Sequence, residues 1–194
     1  MEGKIITVSR EFGSGGRTIA KEIAKRLGIP YYDKEIIKEV AEKTGFNPEY
    51  VEEAGEHAPG KSLFSFGLGG SVGLSTSDFL WAMQRQVILE IAQKGPCVIV
   101  GRCADYILKD NPDAVHIFIH ADMDFKIDRV VRLYGESEKK PEARINDKNK
   151  KRAVNYKHFT NREWGKSQNY HIALNSKALG IEKCIEAILA IVTE

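Results

Sequence analysis

Apolar residues along this chain follow two rhythms. Short, nearly continuous runs at 4–8, 30–32, 97–100, 115–120 and 170–175 read as β-strands. Between them apolar positions recur every three or four residues, which predicts helices over 18–27, 34–43, 78–93, 104–109, 124–133, 141–164 and 182–192. Val98-Ile99-Val100 is apolar on both faces, the mark of a parallel strand covered on both sides. Strands alternating with helices build βαβ units. The pattern therefore predicts an α/β fold in three layers, a five-stranded parallel sheet flanked by helices. At 194 residues the chain fills one such domain.

Two segments depart from the pattern. Residues 58–77 are rich in Gly and Ser and poor in charge, the composition of a lid or binding loop. Phe64 and Phe66 within it are candidate contacts for a ligand ring. Its Gly67-Leu68-Gly69-Gly70 follows no strand and does not read as a phosphate cradle. Residues 139–166 carry ten Lys/Arg against three Asp/Glu in a chain whose net charge is only +2. That excess reads either as a solvated helix face or as a surface that meets polyphosphate. The expected organisation is one domain, in which both segments read as mobile covers over a site.

The near-neutral balance excludes a global pull toward nucleic acid or membrane, and no aromatic interleaving accompanies the basic segment. No apolar run approaches the ~20 residues of a membrane helix. Cys97, Cys103 and Cys184 lack metal-ligand spacing, and an odd, sparse set suits a reducing compartment. With no leader pattern ahead of the first strand, a cytoplasmic protein is expected. His116 and His120 fall on one face of a strand, but no third ligand accompanies them, so they read as structural. Trp81, Met83, Val87, Leu89 and Ile91 read as core.

The candidate chemistry lies at the first strand–helix junction, Ser9-Arg10-Glu11-Phe12-Gly13-Ser14-Gly15-Gly16-Arg17-Thr18. Strand, glycine-dense turn and helix start together make an anion site, because backbone N–H groups converge and the helix N-terminus adds partial positive charge. Gly13, Ser14, Gly15, Gly16, Arg17 and Thr18 are the expected ligands of a phosphate. The P-loop pattern G-x-x-x-x-G-K-[ST] fits in two registers. In one, Arg17 stands for the lysine and Glu11 for the first glycine. In the other, which continues downstream without a gap, Gly16 takes the lysine's place and Arg10 that of the first glycine. Arg17 or Arg10 would then replace the missing lysine, and Thr18 or Ser14 would offer a hydroxyl on the magnesium side. Open α/β sheets bind ligands at strand C-termini, which also draws in Asp33 and Arg102. Asp33 reads equally as a helix N-cap and Arg102 as half of a surface ion pair.

Ser9-Arg10, Gly13-Ser14-Gly15-Gly16 and Ile19-Ala20, then Leu27-Gly28-Ile29-Pro30-Tyr31-Tyr32-Asp33, resemble the cytidylate kinase-like branch of the nucleoside monophosphate kinases. Val98-Ile99-Val100-Gly101-Arg102, Trp164-Gly165, Asn169-Tyr170, Asn175-Ser176 and Leu179-Gly180-Ile181 extend the resemblance over nearly the whole chain. It implies a P-loop NTPase-type fold and ATP with magnesium. It also implies small nucleotide partners, an acceptor-binding insertion over approximately 34–95 and a basic lid over approximately 139–166, with Asp33 and Arg102 beside the acceptor and lid arginines over the transferring phosphoryl group. Arg152 and then Arg144 are the lid candidates. The chain departs from cytidylate kinases proper at Lys34 and Glu35, where they have threonine and glycine, and at Cys103, where they tend to have aspartate. A phosphotransferase is expected. A nucleotide-sensing module without turnover and a kinase of a non-nucleotide metabolite are the alternatives.

Overall fold

The structure is a computed structural model that describes residues 4–56, 75–135 and 140–193. Its elements are β1 (Ile5–Arg10), α1 (Gly16–Leu27), β2 (Tyr31–Tyr32), α2 (Lys34–Thr44), α3 (Pro48–Glu56), α4 (Thr76–Gln93), β3 (Cys97–Val100) and α5 (Ala104–Ile107). There follow β4 (Ala114–His120), α6 (Met123–Tyr134), α7 (Pro141–Thr160), β5 (Ile172–Asn175), α8 (Ser176–Leu179) and α9 (Ile181–Thr193). All strand pairs are parallel, in the order β2-β3-β1-β4-β5, as the strand–helix alternation predicts.

Strand alternation divides the core. Ile6 and Val8 of β1, with Val98 and Val100 of β3, pack against Ile19 and Ile23 of α1 and Ile185 and Ile188 of α9. Ile5, Cys97 and Ile99 face the other way, onto Ile36 and Val40 of α2 and Val87, Ile88 and Ile91 of α4. That second face turns polar toward the strand ends. Thr7 and Ser9 are buried there, and Thr7 Oγ1 lies 2.9 Å from His116 Nδ1 of the neighbouring strand. His116 stacks on His171, and burial first, then His171, pushes its pKa down to about 4. The histidine therefore stays neutral at ordinary pH, consistent with a structural role.

Several expected boundaries move for local reasons. The helix predicted over 141–164 ends at Thr160, because Asn161 adopts a left-handed conformation (φ 55°) and its N–H closes on the Lys157 carbonyl. Trp164 thus lies in a turn. Helix α3 stands where the sequence pattern, too short there to show a period, predicts no helix. Helix α4 begins at Thr76, inside the expected loop, because Ser75 caps it by accepting from the Asp78 N–H at 3.2 Å. Trp81 is only half-buried and stacks on Phe159 at 4.5 Å, tying α4 to α7. Phe64, Phe66 and the glycine run 67–70 lie outside the described residues.

Candidate active site

The first loop is held at both ends before it offers anything to a ligand. Glu11 continues β1 by donating its N–H to the Ile119 carbonyl. Its carboxylate accepts from Lys126 Nζ at 2.8 Å and from the Ala121 N–H at 3.2 Å, which pins the loop to α6. Gly13 and Gly15 then take positive φ values of 85° and 83°. A Cβ on Gly15 would lie 2.5 Å from Ile181 Cδ1, so the loop needs glycine there for space as well. Ser14 is fully buried; its hydroxyl donates inward to the Glu11 carbonyl at 3.0 Å, and its own carbonyl accepts from Ser176 Oγ. Thr18 is exposed on the open side, accepting from Arg129 Nη2 at 3.1 Å.

Helix α1 opens without a side-chain cap and without an acid in its first turn. Its first N–H groups have no intrahelical acceptor and carry the positive end of the helix dipole. The chemistry of this cradle fits the phosphates of ATP. It lines a hollow with Arg10, Phe12, Arg17, Arg129, Tyr134 and Arg152.

A second hollow adjoins the first, lined by Ser9, Asp33, Arg102, Cys103, Tyr156 and Trp164, and it shares Arg10, Arg17 and Arg152 with it. Asp33 occupies the N-cap position of α2 but does not cap it. Its carboxylate instead closes a two-point pair with Arg17, Nε at 2.6 Å and Nη2 at 3.2 Å, and lies 3.8 Å from Arg10 Nη2. The N-cap alternative for Asp33 is thereby corrected. Arg10 is nearly enclosed. Burial, Arg152, and then Arg17 and Arg102 push its pKa down to about 9, although Asp33 opposes them. Four guanidiniums around one carboxylate make a place that favours an anion.

Arg102 reaches this hollow from an unusual turn. Gly101, Arg102 and Cys103 have φ values of 71°, 57° and 54°, three left-handed residues in succession, and Gln84 Nε2 holds the turn by donating to the Arg102 carbonyl at 3.1 Å. Non-glycine residues adopt this conformation at a cost of roughly 1 kcal/mol or more each. We therefore expect Arg102→Gly to melt ~2–4 °C above Arg102→Ala, since both lose the guanidinium but only glycine relieves the strain. Thermal denaturation of the two variants checks this.

Helix α7 closes over the first loop. Asn149 Oδ1 accepts from the Phe12 N–H at 2.7 Å, and Arg152 Nη1 donates to the Arg10 carbonyl at 3.1 Å. Arg144 sits over the rings of Phe12 and Tyr134, which stack on each other at 5.6 Å. The two expected lid arginines are thus separated by position: Arg152 between the hollows, Arg144 at the rim of the first.

Patterning alone does not point to Lys126, Arg129, Asn149 or Asp105. Asp105 is 2% exposed and accepts from Ser9 Oγ at 3.1 Å and Tyr156 OH at 2.7 Å, two residues that line the second hollow. An acid inside a short apolar helix directly after a buried strand is the signal that could have marked it.

A family model for the cytidylate kinase-like family matches residues 5–178. The chain belongs to the cytidylate kinase-like family. No curated protein sequence matches it. An uncharacterized protein from Eubacterium ventriosum is similar in structure, with a TM-score of 0.75 and 28% identity over 98% of this chain and 99% of that one. Shikimate kinase from Bacteroides thetaiotaomicron superposes with a TM-score of 0.57 at 16% identity, covering 98% of this chain and 99% of that one. A gluconokinase from Sinorhizobium meliloti gives 0.59 at 15%, covering 98% and 94%. These two share the fold, the P-loop kinase arrangement of sheet and helices. Family and fold together support a kinase-like phosphotransferase. Among the described residues no helix is long and apolar enough to cross a membrane, and no cluster of His, Cys, Asp and Glu could by itself hold a metal ion. The three cysteines are buried and free. Magnesium in such kinases is bound largely by substrate phosphates and water, so a lone hydroxyl such as Thr18 fits it without a carboxylate cluster.

Proposed function

We propose that the protein transfers the γ-phosphoryl group of ATP, with magnesium, to a small anionic acceptor, a nucleoside monophosphate of the cytidylate kind being the first class to test. The observation that carries this reading is the shared wall: Arg10, Arg17 and Arg152 line both hollows. A donor phosphate on the loop and an acceptor beside Asp33 and Arg102 would meet across these guanidiniums. Phosphoryl transfer asks the protein for alignment and charge neutralisation, not for a covalent intermediate.

Each residue then has a role. The amides of Gly13 to Thr18 hold the donor phosphates. Thr18 is the hydroxyl available on the magnesium side, whereas the Ser14 hydroxyl is engaged with the Glu11 carbonyl. Bound magnesium supplies charge neutralisation on the phosphates. Arg102 pairs with the acceptor's anionic group, and Asp33 accepts from an acceptor hydroxyl while bridging Arg17 and Arg10. Arg152 compensates the charge that spreads over the transferring group, and Arg144 secures the lid at its rim. Arg10 or Arg17 replaces the P-loop lysine.

A non-nucleotide acceptor is the second reading. It is favoured by the density of charge around Asp33 and by Lys34, Glu35 and Cys103 in place of the residues of cytidylate kinases proper. Incubation with ATP, magnesium and a panel of nucleoside monophosphates and phosphorylated or carboxylated metabolites, read by mass spectrometry, tests both. ADP together with a nucleoside diphosphate is the expected outcome. ADP formed only with a metabolite moves the acceptor to the second reading. ATP binding without product under any condition leaves a nucleotide-sensing module.

A further inference from the structure

Gly16 stands where the P-loop pattern has its lysine, and Arg10 where it has its first glycine. The two departures meet in space. A Cβ on Gly16 would lie 2.5 Å from the Cβ of Arg10 and 3.0 Å from its Cγ, closer than two side chains can sit. Side chains at 10 and at 16 therefore exclude each other at their roots. The Arg10 chain then passes Gly101, where a Cβ would fall 1.9 Å from Nη1, and ends 3.8 Å from Asp33. Along this course it lines both hollows.

We infer that Arg10 and Gly16 are an exchanged pair: the cation that the P-loop pattern carries on residue 16 is supplied from residue 10, to the outer phosphates of bound ATP where the two hollows meet. The inference rests on the phosphotransferase reading and chooses Arg10 over Arg17 as the replacement for the lysine. Arg17 is 43% exposed and is matched by its two-point pair with Asp33. It positions that carboxylate. Arg10 is 13% exposed and meets the same carboxylate only at 3.8 Å, among three other guanidiniums. An anion at the boundary of the hollows is what its charge calls for. Its planar fork would engage two phosphate oxygens where a lysine ammonium engages as a point charge. Gly101 is the third member of the arrangement, because any side chain there would block the guanidinium.

Two measurements test the exchange. In the first, MgATP is titrated calorimetrically into wild type, Arg10→Gly and the double variant Arg10→Gly/Gly16→Lys. Arg10→Gly is expected to weaken MgATP by ~10- to 100-fold, the worth of a charge-assisted contact, and the added lysine to recover most of that loss. In the second, Gly16→Ala is expected to lower the melting temperature by ~3–8 °C in wild type and by less than half as much in the Arg10→Gly background. MgATP affinity within twofold of wild type for Arg10→Gly overturns the inference. So does a double variant that melts like wild type yet binds no better than Arg10→Gly. An equal melting loss in the two backgrounds also overturns the exchange; that comparison needs neither lysine nor nucleotide, and so holds where the double variant does not fold. Failure of wild type itself to bind MgATP removes the phosphotransferase reading along with the role of Arg10, a result distinct from all of these.

Discussion

Replacement of Arg152 by alanine is expected to lower the rate of phosphoryl transfer by ~10³-fold or more, with a far smaller change in ATP affinity. The guanidinium stands between the hollows, donates to the Arg10 carbonyl at 3.1 Å and is carried by the helix that closes over the loop. On the proposed reading a group so placed acts on charge that develops during transfer, so its loss should fall on the turnover step and not on donor binding. Arg144 provides the internal control. It lies over the rings of Phe12 and Tyr134 at the rim of the first hollow, so Arg144→Ala should loosen the packing of α7 on the loop but cost no more than ~10-fold in rate. Arg152→Lys should recover little, because an ammonium cannot reproduce the planar fork. Single-turnover kinetics beside equilibrium ATP binding separate the two effects. A transfer rate within tenfold of wild type for Arg152→Ala would remove Arg152 from the catalytic group.

The sheet was legible because its strands are apolar in short runs with helical periodicity between them; the 97–100 run matches β3 end for end. The phosphate loop was legible because glycine density between strand and helix has few other physical uses. Less visible was what depends on pairs distant in sequence. From its local surroundings Asp33 reads equally as a cap and as a site carboxylate, and only the fold brings Arg17 within 2.6 Å of it. Helix 141–164 reads too long because the left-handed turn at Asn161 is made by a residue type that helices also tolerate. The exclusion between residues 10 and 16 is absent from either residue alone. It appears once the loop folds Gly16 under the Arg10 side chain.

Asp105 shows the same limit and has the largest expected effect on stability. Asp105→Ala would strip the acceptor from Tyr156 OH and Ser9 Oγ in a site where the acid is 2% exposed. A buried donor left without a partner costs ~1–3 kcal/mol, and because the Tyr170 hydroxyl also bonds with Ser9 and Tyr156 and can take up a freed donor, the predicted loss is about 2–3 kcal/mol, or ~4–12 °C in melting temperature. Because Ser9 and Tyr156 also line the second hollow, acceptor affinity should fall with it. Asp105→Asn keeps the shape and an acceptor oxygen, and its amide can donate to a hydroxyl oxygen, so its loss should be about 1 kcal/mol. The comparison between Asp and Asn should also depend on pH. Burial raises the Asp105 carboxyl above its ordinary value, with the Tyr156 and Ser9 bonds opposing the rise. A carboxyl raised in the folded state contributes stability below the unfolded value, and that contribution is lost as pH rises through the folded value. Wild type should therefore lose ground to Asp105→Asn as pH rises from about 4 toward neutrality, and urea denaturation of the two proteins across that range measures the drift. A gap that widened in favour of aspartate with rising pH would mean that the folded protein stabilises the carboxylate, and that the network around Ser9 and Tyr156 compensates a full charge.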